Sequence, residues 1–306
     1  MSSQLQNQIV NDDFFNVLPK IQMKSNNMIL TDLPYGKNIK EWDIEIDLVR
    51  MWDFFNHVLK DNGVIALTSI EPFTSKLIMS NINNFKYKLI WVKTRISNPL
   101  LNAKMPSKVH EEVLIFYKNY PTYNPQTYEV SDKYVDKRKN VNDSEWVAGQ
   151  FSGKMTRKQD MGIRQPQDVL YFPSHWSKGM HPTQKPISLF EYLIKTYTNE
   201  NDIVLDCCAG SGTTAIASIK TNRNYICIEK EQEYFDMMRS RIDELNKSDI
   251  DFQEQNDFFT EQYKKSLITL ETKSESMKFN CKFCNRDFKR NCHLQRHSNS
   301  THGSSQ

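Results

Sequence analysis

The stretch Thr31-Asp32-Leu33-Pro34-Tyr35-Gly36 follows directly on Asn27-Met28-Ile29-Leu30, a short apolar run that reads as a buried strand ending in a turn. In an open α/β sheet, ligands bind beyond the carboxyl ends of the strands, so such a turn would face a site. A carboxylate beside a main-chain carbonyl can accept two hydrogen bonds from one exocyclic amine. Pro34 stiffens the turn, and Tyr35 offers a flat face on which a base can stack. Taken alone, the same residues also suit a plain Pro-containing turn with a structural Asp cap.

A second stretch, Asp206-Cys207-Cys208-Ala209-Gly210-Ser211-Gly212-Thr213, lies between a strand and a helix. Gly210 and Gly212 allow a ligand to approach the backbone closely. The Lys of a phosphate-cradling loop and the third glycine of a dinucleotide fingerprint are both missing. Glu229 ends the next strand about 20 residues on, where an acid can hold the two hydroxyls of a ribose. Together these features point to a nucleoside ligand without a tightly held polyphosphate.

The tail carries Cys281-x2-Cys284-x12-His297-x4-His302, the ligand types and spacing of a tetrahedral structural Zn2+ site. Phe279, Phe288 and Leu294 fall where a ββα unit buries its core, and the segment resembles a two-cysteine two-histidine (C2H2) zinc finger. Such a short unit folds only around its metal. The resemblance implies that Arg290, His293 and Arg296 meet three successive bases, with the two arginines favouring guanine. Tethering to DNA, RNA or a protein all remain open for it. Of the remaining four cysteines, Cys207, Cys208 and Cys227 sit in apolar runs and are expected to be packed thiols.

The elements that must position these residues alternate between strand and helix. Strands are expected at Asn26 to Asp32, Gly63 to Ser69, Tyr87 to Lys93, Val109 to Tyr117, Asp202 to Asp206 and Asn224 to Glu229. A strand end followed by a short helix, capped by Asp12 or Asp13, precedes them. Further helices are expected over Ile44 to Lys60, stopping at Asp61-Asn62-Gly63, and over Phe73 to Asn81, Pro186 to Thr196, from about Thr213 to Lys220, and Glu231 to Asn246. This alternation predicts an α/β fold with a doubly wound, mostly parallel Rossmann-like sheet. Between Arg95 and Lys178 the periodicity dissolves, except for a short strand at Asp168 to Phe172, and so long an insertion is expected to be functional or disordered.

Forty basic residues face 37 acidic ones, for a net charge of +3, so charge alone does not identify a nucleic-acid binder. Two regions are locally basic: Lys86 to Lys118, and the tail from Lys278. Mean hydropathy is −0.66, no apolar run approaches the ~20 residues that span a bilayer, and the N-terminus lacks signal-peptide features. An intracellular protein without a membrane partner is the expectation.

With these motifs in place, the chain from about Gln8 to Asn246 resembles the DNA amino-methyltransferases that use S-adenosylmethionine. It is similar to their β group, in which the catalytic motif precedes the cofactor motif. Asp32-Leu33-Pro34-Tyr35, His181-Pro182-Thr183-Gln184-Lys185-Pro186 and Asp206 through Thr213 carry the resemblance. It implies that Asp32 and the Leu33 carbonyl accept hydrogen bonds from the N6 amine of an extruded adenine, with Tyr35 stacked on the base. Asp206, Gly210, Gly212 and Thr213 would cradle the methionine end of the cofactor, Glu229 its ribose and Asp13 its adenine. Thr183, Gln184 and Lys185 would support the methionyl carboxylate region.

Asp32, where relatives acting on cytosine N4 usually carry Ser, favours adenine. Leu33 departs from the commoner Pro, and Cys208 from a commonly aromatic residue that packs on the cofactor. The expected organisation is therefore a methyltransferase domain over 1–247 with a target-recognition insertion at about 95–178, whose Arg138, Lys139, Arg157, Lys158 and Arg164 are candidates for contact with phosphate or guanine edges, a polar linker over 248–277, and a zinc finger over 278–306. The expected partner is double-stranded DNA, with monomer and dimer both open. The finger is unusual for a bacterial methyltransferase and favours a eukaryotic or viral setting, hence a nucleus or a viral replication compartment. Cytosine-N4 or RNA-adenine methylation, and a non-catalytic DNA-binding protein on a decayed methyltransferase fold, are the rival readings.

Overall fold

The computed structural model describes residues 6–36, 43, 45–97, 100, 103–131, 135, 144–148, 151–155, 160–173, 184–247, 279–280 and 287–288. Of 144–148, 151–155, 246–247, 279–280 and 287–288 it describes the backbone alone. The chain divides into two units, Met1–Asp249 and Ile250–Gln306.

The first unit is built on β1 (Gln8–Asn11), β2 (Asn26–Thr31), β3 (Leu59–Ser69), β4 (Phe85–Val92) and β5 (His110–Phe116). After these come β6 (Tyr128–Glu129), β7 (Ser144–Ala148), β8 (Phe151–Met155), β9 (Ile163–Arg164), β10 (Val169–Tyr171), β11 (Ile203–Asp206) and β12 (Asn224–Glu229). Eight strands form one sheet in the order β1-β12-β11-β2-β3-β5-β4-β10. Every neighbouring pair is parallel except those made by β5, which runs against both β3 and β4. The small pairs β6–β9 and β7–β8 are antiparallel.

Helices α1 (Phe14–Val17), α2 (Leu48–Val58), α3 (Phe73–Ser80), α4 (Ile187–Tyr197), α5 (Thr213–Lys220) and α6 (Gln232–Lys247) complete the unit. The central strands are buried on both faces. In β2, Ile29 packs with α1, α2 and α3, while Met28 and Leu30 pack with α4 on the opposite side. That two-sided burial is why these strands read as continuous apolar runs rather than alternating ones.

The strand and helix assignments hold with shifted ends, apart from one turn. The expected break at Asp61-Asn62-Gly63 lies inside β3, which begins at Leu59 directly after α2. Asn26 pairs with Leu59 and Met28 with Val64, so an irregularity in the ladder absorbs these residues. The stretch expected to be irregular also contains β6 to β9, and its last strand, β10, adds to the edge of the main sheet beside β4. In the second unit, β13 (Phe279–Asn280) pairs antiparallel with β14 (Asp287–Phe288), Phe279 standing opposite Phe288. Among the described residues, no helix is long and apolar enough to cross a membrane.

Gly212 precedes α5 at φ +81°, a backbone state that disfavours L side chains. A Cβ there would stand 2.5 Å from Met238 Cγ on α6. Gly212→Ala should therefore destabilise the protein by about 1–3 kcal/mol, through both backbone strain and overpacking. Urea unfolding measures this, and an unchanged midpoint would contradict the packing described.

Candidate functional site

The parallel strands end along one edge of the sheet. At β2 and β11, neighbours in the middle of that sheet, the chain leaves in opposite directions, to β3 on one side and β12 on the other. A crevice for ligand forms outside such a switch point. Asp32 follows β2 and Asp206 ends β11, so the two carboxylates that the sequence separates stand on adjacent strands. β5 runs the other way, which brings Glu111, near its start, to the same edge.

Asp32 is held by three donors. Its Oδ1 accepts from the Tyr35 hydroxyl at 2.8 Å and from the Thr68 hydroxyl of β3. Its Oδ2 accepts from Lys185 Nζ at 2.5 Å. The turn is fixed from below by Leu33, whose side chain is 2% exposed and belongs to the core. Asp43 closes it from outside, its Oδ1 accepting from the backbone N–H groups of Tyr35 (2.8 Å) and Gly36 (3.0 Å). Burial, and then the Asp32 charge, push the Tyr35 phenol well above its ordinary range, so it stays a donor at neutral pH. Its ring lies 5.5 Å from that of Phe73.

The glycine turn forms the other wall. Asp206 accepts from the backbone N–H of Cys208 at 3.0 Å and from the Thr214 hydroxyl. Glu229 accepts from the N–H groups of Gly210 (2.7 Å) and Glu231 (2.8 Å). The Ser211 hydroxyl donates to Gln184 at 3.2 Å, and the Thr213 hydroxyl to the Lys185 carbonyl at 3.4 Å. Asp13 caps α1 by accepting from Phe15 N–H at 2.9 Å, and the adjacent Asp12 N–H donates to the Glu229 carbonyl at 3.2 Å. The structure thus brings Asp13, Asp32 to Tyr35, Gln184, Lys185, Asp206, Gly210, Gly212, Thr213 and Glu229 to one edge.

Lys185 differs from expectation in what its head group touches. Its main-chain carbonyl meets the glycine turn, but its ammonium points to Asp32 and to Glu111. Thr68, Glu111 and Asp43 were not singled out from sequence as site residues. Arg164, a candidate for phosphate or guanine contact, is engaged by Asp160 at 2.7 and 2.9 Å. Cys207 and Cys227 are buried and Cys208 partly so, as expected of packed thiols.

Thr183, Cys281, Cys284, His297, His302, Arg290, His293 and Arg296 lie outside the described residues. So do His181, Pro182, Arg138, Lys139, Arg157, Lys158 and the expected linker from Ser248 to Met277. Among the described residues, no cluster of three or more His, Cys, Asp or Glu could hold a metal.

Burial raises the Asp206 carboxyl from its ordinary value of 3.8 to about 6, against the hydrogen bonds that lower it, and burial raises Glu229 as well. Between pH ~4 and ~6 the folded chain thus holds more protons than the unfolded one, so this contribution to stability falls as pH rises. Asp206→Asn removes the burial penalty on the charged form. Above pH 6 it should gain up to about 3 kcal/mol, less what the altered bonds to Cys208 and Thr214 cost. Below pH ~4 that gain should vanish. Urea unfolding at pH 4 and 7.5 tests this, and an equal difference between variant and parent at both values would contradict it.

Comparisons with known proteins identify the family. The model of the N6/N4 family described as DNA methylase matches residues 26–240. Type II methyltransferase M2.MboI of Moraxella bovis is 30% identical over 255 residues, covering 73% of this chain and 83% of its own. M.HinfI of Haemophilus influenzae, another Type II methyltransferase, is 30% identical over 278 residues, or 80% and 71% of the two chains. The solved M1.HpyAVI–SAM complex superposes with a TM-score of 0.53 at 26% identity, over 76% of this chain and 98% of that one. The cytosine-N4-specific PvuII DNA methyltransferase shares the fold at 16% identity, with a TM-score of 0.57 over 84% and 92%. With the match spanning both walls of the crevice, the chain belongs to the N6/N4 DNA methylase family.

Proposed function

We propose that this protein transfers a methyl group from S-adenosylmethionine to the N6 amine of an adenine flipped out of double-stranded DNA. The observation that supports this most is the side-by-side placement of Asp32 and the Asp206–Thr213 turn at the switch point. The residues fit a cationic nucleoside donor. Asp206 and Glu229 are carboxylates beside a turn whose glycines take φ +51° and +81°. Each has oxygen lone pairs beyond those used by its N–H partners, so Glu229 can also accept from ribose hydroxyls.

When bound, S-adenosylmethionine supplies a methyl carbon on a positively charged sulfur. Asp32 and the Leu33 carbonyl accept from the two N–H groups of the target amine. This draws the nitrogen lone pair out of the ring plane and aims it at that carbon. Tyr35 provides the stacking face. With the donor bound, these contacts would hold the amine in line for direct transfer, the carbon–sulfur electrons staying on sulfur and the proton lost by nitrogen passing to water. Positioning and fixed charge supply the acceleration, with no covalent enzyme intermediate. Extruding the base costs a few kcal/mol, which contacts to the pocket offset.

The choice of adenine rests on the carboxylate at position 32. Nucleosides from DNA and RNA treated with the protein and labelled donor should contain N6-methyladenine in DNA. N4-methylcytosine, or label in RNA alone, would replace the proposed substrate. Asp32→Ala should lower turnover by about 100-fold or more while leaving donor affinity near that of the parent. Full activity in that variant would remove Asp32 from the mechanism.

For the tail, Cys281, Cys284, His297 and His302 would hold Zn2+ as the four ligands of a structural site. The antiparallel pairing of Phe279 with Phe288 supports this, because both cysteines fall in sequence between β13 and β14. Arg290, His293 and Arg296 would then contact DNA, aiding retention on it more than choosing the target. About one zinc per chain is expected, lost when residues 278–306 are deleted. The deletion should weaken DNA binding by about tenfold and spare catalysis at saturating DNA. Zinc that persists after the deletion would contradict these ligands.

A further inference from the structure

Lys185 stands between two carboxylates. Its Nζ lies 2.5 Å from Asp32 Oδ2 and 3.4 Å from Glu111 Oε2, and its side chain is 6% exposed. Glu111 is held at Oε1 by Lys93 at 2.8 Å. Its Oε2 is buried and accepts no hydrogen bond among the described residues. Its nearest donor is the Lys185 ammonium at 3.4 Å, an ion pair without a well-aligned hydrogen bond, so this oxygen is a ready acceptor if that donor comes closer. At Asp32 the balance is opposite. Oδ1 already accepts from Tyr35 and Thr68, and Oδ2 from Lys185. A target amine must therefore compete with the lysine for the outer oxygen.

We propose that Glu111 is a positioning residue for methyl transfer: it draws the Lys185 ammonium off Asp32 Oδ2 as the target amine docks there. The proposal rests on the function given above. A shift of about 0.6 Å would bring Nζ from 3.4 Å to hydrogen-bond distance of Glu111 Oε2 and stretch its contact with Asp32 Oδ2 to at most about 3.1 Å; rotation of the lysine side chain about that new bond would complete the release. The formal charges in the cluster, two acids against Lys185 and Lys93, are the same before and after, so no net charge is created in the buried site. Burial would disfavour the charged forms of both groups. The facing charges outweigh it, raising Lys185 well above its ordinary range and lowering Glu111, so both stay ionised at neutral pH.

The test uses the full-length, zinc-loaded protein with unmethylated DNA and S-adenosylmethionine. Glu111→Gln keeps the shape but removes the charge that competes for the lysine. Its kcat should fall about tenfold or more, while the calorimetric Kd for S-adenosylmethionine stays within about twofold. Adding Lys185→Met to Glu111→Gln removes the competing donor, and the double variant should turn over several-fold faster than Glu111→Gln alone. A Glu111→Gln enzyme that matches the parent, a double variant no faster than the single one, or a Kd that collapses along with kcat would each overturn the role. If the parent methylates DNA and Glu111→Gln keeps pace, only this role falls. If the parent yields no methylated nucleoside, the proposed function falls and takes the role with it.

Discussion

The parallel pairing of β2 with β11 is the contact on which the site depends. Val204 stands opposite Met28 and Leu205 opposite Ile29, and that register sets Asp206 and Asp32 at the same edge. A slip of one residue would turn every side chain of β2 to the opposite face, moving Ile29 out of one core and Met28 and Leu30 out of the other. The apolar packing that stabilises the sheet therefore also fixes the distance between the two walls of the crevice. Neither wall could be adjusted without disturbing the core.

Around that contact the fold gathers charge where burial disfavours it. Asp206 and Glu229 are both raised by burial, and at Lys185 the facing charges of Asp32 and Glu111 outweigh the burial that disfavours its charged form. Such groups reduce stability relative to an apolar edge, as expected of residues kept for binding rather than folding. The hydrogen bonds from Thr68, Thr214, Tyr35 and the N–H groups of Cys208 and Gly210 hold the carboxylates in place before any ligand arrives. Under the function proposed above, this preorganisation would align the positively charged donor and the weakly nucleophilic amine without a covalent intermediate.

The boundary between local and long-range information runs through particular residues. The Asn26–Thr31 strand, the Gly210 to Gly212 turn and Glu229 were legible because each announces itself within a few residues: an apolar run, two glycines, an acid at a strand end. The Asp61-Asn62-Gly63 turn was misread because its composition is that of a turn, whereas pairing with β2 draws it into β3. Pairing across the sheet overrode local preference, as it can wherever a ladder supplies the backbone hydrogen bonds.

By itself, the sequence determined the α/β class, the order of the elements, the two motifs that form the crevice and the spacing of the tail's cysteines and histidines. All of these are written in contiguous residues and in periodicity. Only the tertiary structure decided that β5 runs antiparallel and so delivers Glu111 to the edge. It alone turned the Lys185 ammonium onto Asp32 rather than along the glycine turn, and occupied Arg164 with Asp160. Strand direction and the aim of a long flexible side chain depend on partners distant in the chain, 153 positions in the case of Lys185 and Asp32. No local pattern records such a partner.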